Sequence, residues 1–291
     1  MSQNDTQKVI LITGTSSGFG LLTAARLAAA GHFVYATMRD VNKQQPLLDE
    51  VKKRRGQVFV RELDVTKPVT IAQVVAQIKD RHAHIDALVN NAGFALGGFF
   101  EDISEEEMRK QMEVNFFGVQ SVCRAVIPLM RERKQGVIVN ISSIAGLTAS
   151  PGLGAYNASK WALEGFSETL YYELSPFNIK VALIEPGSYP TQIFTDNARY
   201  GKSAMDPNSP YYQYSRKIKG IVDNYVSKLT RDPEDIAKLI EKIITSPGSR
   251  LRYIPDWSSW SRVMASRILP PSLHNFVYRK AVYNGNTNNA V

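Results

Sequence analysis

The sequence of 291 residues contains one cysteine, Cys123, so no intrachain disulfide can form and a reducing compartment suits it. It has no apolar run near the roughly eighteen residues that a membrane-spanning helix needs. The opening segment, Met-Ser-Gln-Asn-Asp-Thr-Gln, lacks the apolar stretch of a secretory signal, so a cytoplasmic location is expected. Histidine is scarce, at four. His82 and His84 have no cysteine or acidic cluster adjoining, so they are expected as solvated loop residues and no metal site is expected. Internal repeats and low-complexity tracts are also absent. The formal net charge of +8 favours an anionic ligand, but no nucleic-acid recognition motif accompanies it.

Short β-branched and leucine-rich runs alternate with helical patterns from residue 8 onward. Strands are expected at 8–13, 33–38, 58–63, 87–89, 137–141, 180–184 and 252–254. Helices are expected at 18–30, 42–55, 69–81, 115–133 and 155–174, with a further start at Ser104-Glu-Glu-Glu107, a capping box. The basic run at 52–55 reads as a solvated helix end. Asp232-Pro233-Glu234-Asp235 begins another helix. Such alternation implies an α/β fold: one doubly wound, Rossmann-type parallel sheet with helices on both faces.

Thr13-Gly14-Thr15-Ser16-Ser17-Gly18-Phe19-Gly20 follows the first strand and opens a helix. Glycines there permit a tight turn and close approach of backbone to a pyrophosphate, which points to a dinucleotide. At the second strand end, where an acidic residue would bind ribose hydroxyls, stand Met38 and Arg39. That suits a 2′-phosphate, although Asp40 is one residue away. Tyr156 and Lys160, spaced i, i+4, share one helix face, and Ser143 lies thirteen residues before the tyrosine. An ammonium there is expected to lower the phenol pKa and fit it for proton transfer to or from a reacting oxygen. By itself Tyr-x-x-x-Lys is a weak signal.

With Asn90-Asn91-Ala92-Gly93, Asn-Ile-Ser-Ser (140–143), Asn115 and Pro186-Gly187 in order, the chain over about 8–255 resembles the short-chain dehydrogenase/reductase family. Val-Tyr-Ala-Thr-Met-Arg-Asp (34–40), Ala-Leu-Glu-Gly-Phe-Ser-Glu (162–168) and Leu-Ile-Glu-Pro-Gly (183–187) resemble the 17β-hydroxysteroid and retinol dehydrogenase branch. The resemblance implies Tyr156 as general acid/base, Lys160 lowering its pKa and gripping the nicotinamide ribose, and Ser143 bonding the reacting oxygen. Asn115 would anchor a water linking Lys160 to solvent. Ser142 adjoins Ser143 and points the other way, and the family spacing selects Ser143. Gly14, Ser16, Ser17, Gly18, Phe19 and Gly20 would frame the phosphates, Asp64 and Val65 the adenine, and Asn91, Ala92 and Gly93 the adenosine side. Pro186, Gly187 and Thr191 would meet the nicotinamide.

The implied activity is NADP(H)-dependent interconversion of a hydrophobic secondary alcohol and a ketone or aldehyde. The alternative is a non-catalytic dinucleotide-binding redox sensor or scaffold. Phe94, Leu96, Leu147, Leu153, Tyr189, Ile193 and Phe194 are expected to wall the substrate pocket, with no lysine or arginine among them. The chain is expected as a single domain over 1–291. Its stretch 188–230, with few periodic cues, would be a substrate lid, and 255–291 a C-terminal helical extension. That extension, with Trp257, Trp260 and nearby arginines, caps the pocket or forms a subunit contact; the alternative is a membrane-surface helix. A homodimer or homotetramer through 115–133 and 155–174 is what the resemblance implies.

Overall fold

The computed structural model describes residues 7–192, 198–248 and 250–282. A seven-stranded sheet, every pair parallel, forms its centre. Its strands are β1 (Val9–Thr13), β2 (Phe33–Met38), β3 (Val58–Glu62), β4 (Ala87–Asn90), β6 (Gly136–Ile141), β7 (Ile179–Ile184) and β9 (Arg252–Tyr253). Their spatial order is β3-β2-β1-β4-β6-β7-β9. β5 (Ala95–Gly97) and β8 (Ala198–Tyr200) form a separate parallel pair.

Both faces of the sheet are buried, which is why β1 reads Val-Ile-Leu-Ile-Thr without a polar alternation. Val9, Leu11 and Leu88 point to one apolar core, and Ile10, Ile12 and Val89 to the other. The first core packs α3 (Pro68–His82), α5 (Gly118–Arg133) and α6 (Gly154–Leu174). The second packs α1 (Gly18–Ala29), α2 (Gln45–Lys53) and α8 (Glu234–Thr245).

Reversal of strand order between β1 and β4 opens a crevice at the carboxyl ends of the strands. Several expectations shift here. The helix placed at 115–133 is α5, joined to α4 (Glu105–Met112) through a π-helical turn over Glu113–Phe117 that contains Asn115. The capping box at Ser104 and Glu107 starts α4. The stretch 188–230 is not irregular throughout, since it holds β8 and a four-turn helix, α7 (Tyr212–Val226). Ser215, Ile218, Val222 and Tyr225 form its inward stripe, a helical spacing visible in the sequence.

The run at 52–55 is not simply solvated: Arg54 bonds Glu50 and, bidentately, Glu234, tying α2 to α8. His82 is half-buried, with Nε2 3.1 Å from the Tyr35 hydroxyl and its ring against Phe33. His84 lies 3.2 Å from Asp86. The C-terminal segment forms α9 (Trp257–Ile268) and α10 (Pro271–Val282).

Candidate active site

The glycine loop follows β1 because no other residue fits at two of its positions. Gly14 has φ of +72°, and a Cβ there would lie 2.7 Å from the Ala92 Cα. A Cβ on Gly20 would lie 2.4 Å from both the Gly14 carbonyl oxygen and the Asn91 Nδ2. The Asn91 amide donates to the Thr13 and Gly14 carbonyls at 3.0 and 2.8 Å, while the Thr13 hydroxyl accepts from the Asn91 and Ala92 N–H groups. Asn-Asn-Ala-Gly thus clamps the loop that opens α1. That helix begins with no side-chain cap from Ser17 and no acid in its first turn, so its N–H groups and dipole suit a phosphate.

A cavity of about 840 Å³ runs along the crevice. At one end Met38, Arg39, Asp64 and Val65 border it; then come Gly14, Ser16, Ser17, Gly18 and Phe19 opposite Asn91, Ala92 and Gly93. Ser143, Tyr156 and Lys160 lie on its wall with Pro186, Gly187, Tyr189 and Thr191, and Phe94 and Leu153 border it too. Gly20, Asn115, Leu96 and Leu147 do not border it. Gly20 is consumed by the close turn. Leu96 points into the core at 2% exposure, its N–H donating to Gln111. Ile193 and Phe194 lie outside the described residues. Metal-ligand clusters are absent among the described residues.

The Tyr156 phenol is hydrogen-bonded to the Ser143 hydroxyl. Ser143 is fixed in turn by accepting from the Ala145 N–H at 3.1 Å, as the cap of a short turn over Ile144–Gly146. Lys160 sits one turn beyond Tyr156, its Nζ donating to the Ile141 carbonyl at 2.7 Å and lying 5.8 Å from the tyrosine ring centre. Burial pushes the phenol up to about 12, against a downward pull from Ser143, and the lysine down to about 8. This reverses the lowering expected from the Tyr-x-x-x-Lys spacing. Both groups are under 9% exposed, so loss of hydration dominates, and the ammonium is spent on a carbonyl rather than on the phenol oxygen.

The Asn115 side chain, which the resemblance assigns to a water, is engaged by protein. It accepts from the Phe94 N–H at 3.1 Å and donates to the Phe94 carbonyl and Ser159 Oγ. The π-turn places it there, and it pins the start of the substrate wall to α6.

Cations stand at this cavity, although none was among the residues expected to wall it. Arg199, Lys219 and Arg262 border it. The Arg199 guanidinium lies 4.8 Å from the Phe94 ring centre, Lys219 pairs with Asp223 at 2.5 Å, and Arg262 donates to Ser150 at 2.9 Å. Arg199 and Arg262 are exposed and Lys219 is half-buried, so the charges mark the mouth. Ile218, Ile221, Val222 and Tyr225 of α7 add apolar wall, and α9 closes the cavity beside Pro186 and Gly187 through Ser258 and Ser259. A Cβ on Gly187 would lie 2.0 Å from Ser259 Oγ, and Arg231 binds both the Ser188 carbonyl and Asp256, so this closure is tight.

Behind the catalytic wall lies a buried acidic cluster that motif reading also missed. The Glu185 carboxyl is fully buried beside Glu164, and burial holds it well above the ordinary carboxylate range. A raised acid pKa favours folding below the unfolded value, and that advantage fades as pH climbs through the folded value. Wild-type protein is therefore expected to lose stability as pH rises from roughly 5 into the alkaline range, and Glu185→Gln to lose less. Thermal unfolding midpoints of the two proteins across pH check this; parallel curves would contradict it.

The family model for short chain dehydrogenase matches residues 8–200. The uncharacterized oxidoreductase YusZ of Bacillus subtilis is 39% identical over 279 residues, covering 90% of this chain and 99% of that protein. The 3-ketodihydrosphingosine reductase of Bacteroides thetaiotaomicron is 46% identical over 190 residues, 65% of this chain and 66% of its own. Bovine (Bos taurus) retinol dehydrogenase 8 is 34% identical over 276 residues, 92% and 87%. Among solved structures, a short-chain dehydrogenase from Streptomyces avermitilis superposes with a TM-score of 0.79 at 33% identity, over 96% of this chain and 99% of that one. A metagenomic short-chain oxidoreductase in complex with NADP gives 0.67 at 27% identity, over 86% and 98%. The chain belongs to the short-chain dehydrogenase/reductase family. It is an oxidoreductase of CH–OH groups that uses a nicotinamide dinucleotide, and the glycine loop, crevice and helix terminus fit that cofactor. No helix among the described residues is long and apolar enough to cross a membrane.

Proposed function

We propose that this enzyme is an NADP(H)-dependent reductase and dehydrogenase of hydrophobic ketones or aldehydes and secondary alcohols, with Tyr156 as its acid/base. The observation that carries the reading is one cavity joining a glycine loop and Arg39 to an apolar chamber, with Tyr156 on the wall between. The bound nicotinamide supplies or accepts the hydride and, when oxidised, adds positive charge near the phenol. Left to the chain's own groups, Tyr156 stays protonated at neutral pH, the form that donates to a carbonyl oxygen. Ser143 orients that proton and offers the reacting oxygen a second hydrogen bond. Lys160 and Arg39 hold the ribose hydroxyls and the 2′-phosphate. Asp40 does not compete for the ribose: it caps the turn at 41–43 by accepting from the Asn42 N–H at 3.0 Å.

The chamber supports this substrate class. Phe94, Phe99, Leu153, Met205, Ile218 and Val222 wall it, and among the described residues Asp64, at the other end, is the one carboxylate that borders the cavity. Burial of apolar area there favours a large substrate at roughly 25 cal/mol per Å². The 3-ketodihydrosphingosine reductase and retinol dehydrogenase names among the relatives point the same way. Apolar cyclic and long-chain ketones are expected to give higher kcat/KM than 2-oxo acids of similar reactivity. A preference for the acids that is lost in Arg199→Ala would overturn the apolar chamber reading, because Arg199 is the cation at its mouth that lies against Phe94.

We further propose one catalytic domain over the whole chain, with 188–230 as the lid. α7 on the cavity wall, and the stacking of Tyr211 on Phe99 at 4.7 Å, support the lid. α9 at the nicotinamide side supports the pocket-capping reading of the C-terminal extension over the membrane one. Exposed Phe117, Trp161 and Tyr172 support a subunit contact through α5 and α6, which light scattering on the purified protein tests. Cys123, buried and with its thiol pushed up to about 12, suits the cytoplasm.

A further inference from the structure

Two segments that carry the branch resemblance, 162–168 and 183–187, contain three glutamates that the catalytic reading leaves without a task. They meet behind the site. Glu164 follows Lys160 by one turn of α6, and Glu168 follows by another, so all three share a face. Ser142, at the end of β6, donates its hydroxyl to Glu164 Oε1. Arg252, from β9, donates through Nη1 to Glu164 and to Glu185 Oε1 at 2.7 Å, and through Nη2 to Glu168 at 2.8 Å. The turn over 144–146 lies directly on this pair: a Cβ on Gly146 would be 2.8 Å from Glu164 Cγ and 3.0 Å from the Lys160 carbonyl oxygen.

The charges settle which group acts on the lysine. Glu164 and Glu185 are buried, at 5% and 0% exposure, and three carboxyls share one guanidinium. Two adjacent buried carboxylates repel, so one keeps a proton. Glu185 is that one. Its carboxyl is the more deeply buried of the two, burial and the neighbouring Glu164 carboxylate both favour its protonated form, and its Oε2 has no donor among the described residues to stabilise an anion. The charged groups around Glu164 are then Lys160 and Glu168 on its own helix and Arg252 on β9, with neutral Glu185 at the end of β7. β6 offers the Ser142 hydroxyl and the 144–146 turn offers backbone. From the π-turn, the groups reaching α6 are uncharged: Asn115 at Ser159 and Phe116 at Phe166. Glu164, one turn from Lys160 on the same face of α6, is the acidic neighbour whose charge opposes the effect of burial on that lysine.

We propose that Glu164, clamped by Ser142, Arg252 and Glu185, is a positioning residue that supplies the counter-charge keeping Lys160 protonated and ties the strand end bearing Ser143 to the helix bearing Tyr156. The inference rests on Lys160 being the working lysine of the proposed site, but its charge can be read without any substrate. Removal of an adjacent anion lowers a lysine pKa, whereas packing defects alone do not shift it in a set direction.

The test is titration of Lys160 in the full-length protein by NMR of lysines labelled at Cε, with its signal assigned by loss in Lys160→Arg. Glu164→Gln is expected to move the Lys160 midpoint down by about one pH unit or more. Glu164→Asp, which keeps the charge but withdraws it by one methylene, should move it the same way by less. Glu185→Gln swaps one neutral side chain for another and should leave the midpoint near its wild-type place. The alkaline limb of kcat/KM for NADPH-dependent ketone reduction should follow each midpoint. An unmoved midpoint in Glu164→Asp and in any folded Glu164→Gln protein overturns the proposal, as does an equal shift from Glu185→Gln. If no ketone is turned over yet Glu164→Gln moves the midpoint, the functional reading fails and the positioning role stands.

Discussion

Tyr156→Phe is expected to lower turnover by a factor of about 10² to 10⁴, the range that a positioned proton donor contributes, while leaving NADPH affinity within a few-fold of wild type. The ring stays buried on the first turn of α6, and the protein loses the hydrogen bond to Ser143. Without the phenol, the Ser143 hydroxyl that it bonds remains, and an aliphatic hydroxyl is far too weak an acid to replace it. Lys160→Ala should damage turnover and cofactor affinity together, because its ammonium both bonds the Ile141 carbonyl and is the cation offered to the ribose. Steady-state rates with the best ketone, and NADPH binding followed by fluorescence, separate the two effects. Near-normal turnover in Tyr156→Phe would show that the acid/base assignment is wrong.

The second large effect is on cofactor choice. The exposed Arg39 guanidinium borders the adenine end of the cavity, and each charge-assisted hydrogen bond to a 2′-phosphate is worth roughly 1.5–3 kcal/mol. NADPH is therefore expected to bind about tenfold or more tighter than NADH, since 1.4 kcal/mol is a factor of about ten. Arg39→Ala should remove most of that difference by weakening NADPH alone. Met38→Asp should reverse the preference through repulsion, at some cost in stability, because Met38 is 2% exposed in the core beneath α2. Equal dissociation constants for NADPH and NADH in the wild-type protein would contradict the assignment.

Legibility of the site in the sequence tracked how local each requirement is. Gly14 and Gly20 stand where backbone crowds backbone, and Tyr156, Lys160 and Ser143 stand at fixed offsets on one helix and one strand end, so all are readable as spacing. The wall of the pocket was less readable. Leu96 and Leu147 fall near the right places in sequence, but β5 turns the Leu96 side chain into the core while its backbone N–H donates to Gln111. α7 was legible in principle, through Ser215, Ile218, Val222 and Tyr225, and was masked by its polar and glycine residues.

What the sequence determined alone was the parallel sheet, from apolar runs too uniform for a one-faced strand, and the dinucleotide loop and Tyr-x-x-x-Lys pair set at its strand ends. The tertiary structure decided what depends on groups distant in the chain. It placed Arg199, from beyond the last motif, at the mouth above Phe94, and Arg252 between Glu164, Glu168 and Glu185. It also reversed the expected shift of Tyr156, because spacing along a helix reports which charges are neighbours but not how far folding strips both of them of water, and here the loss of water is the larger effect.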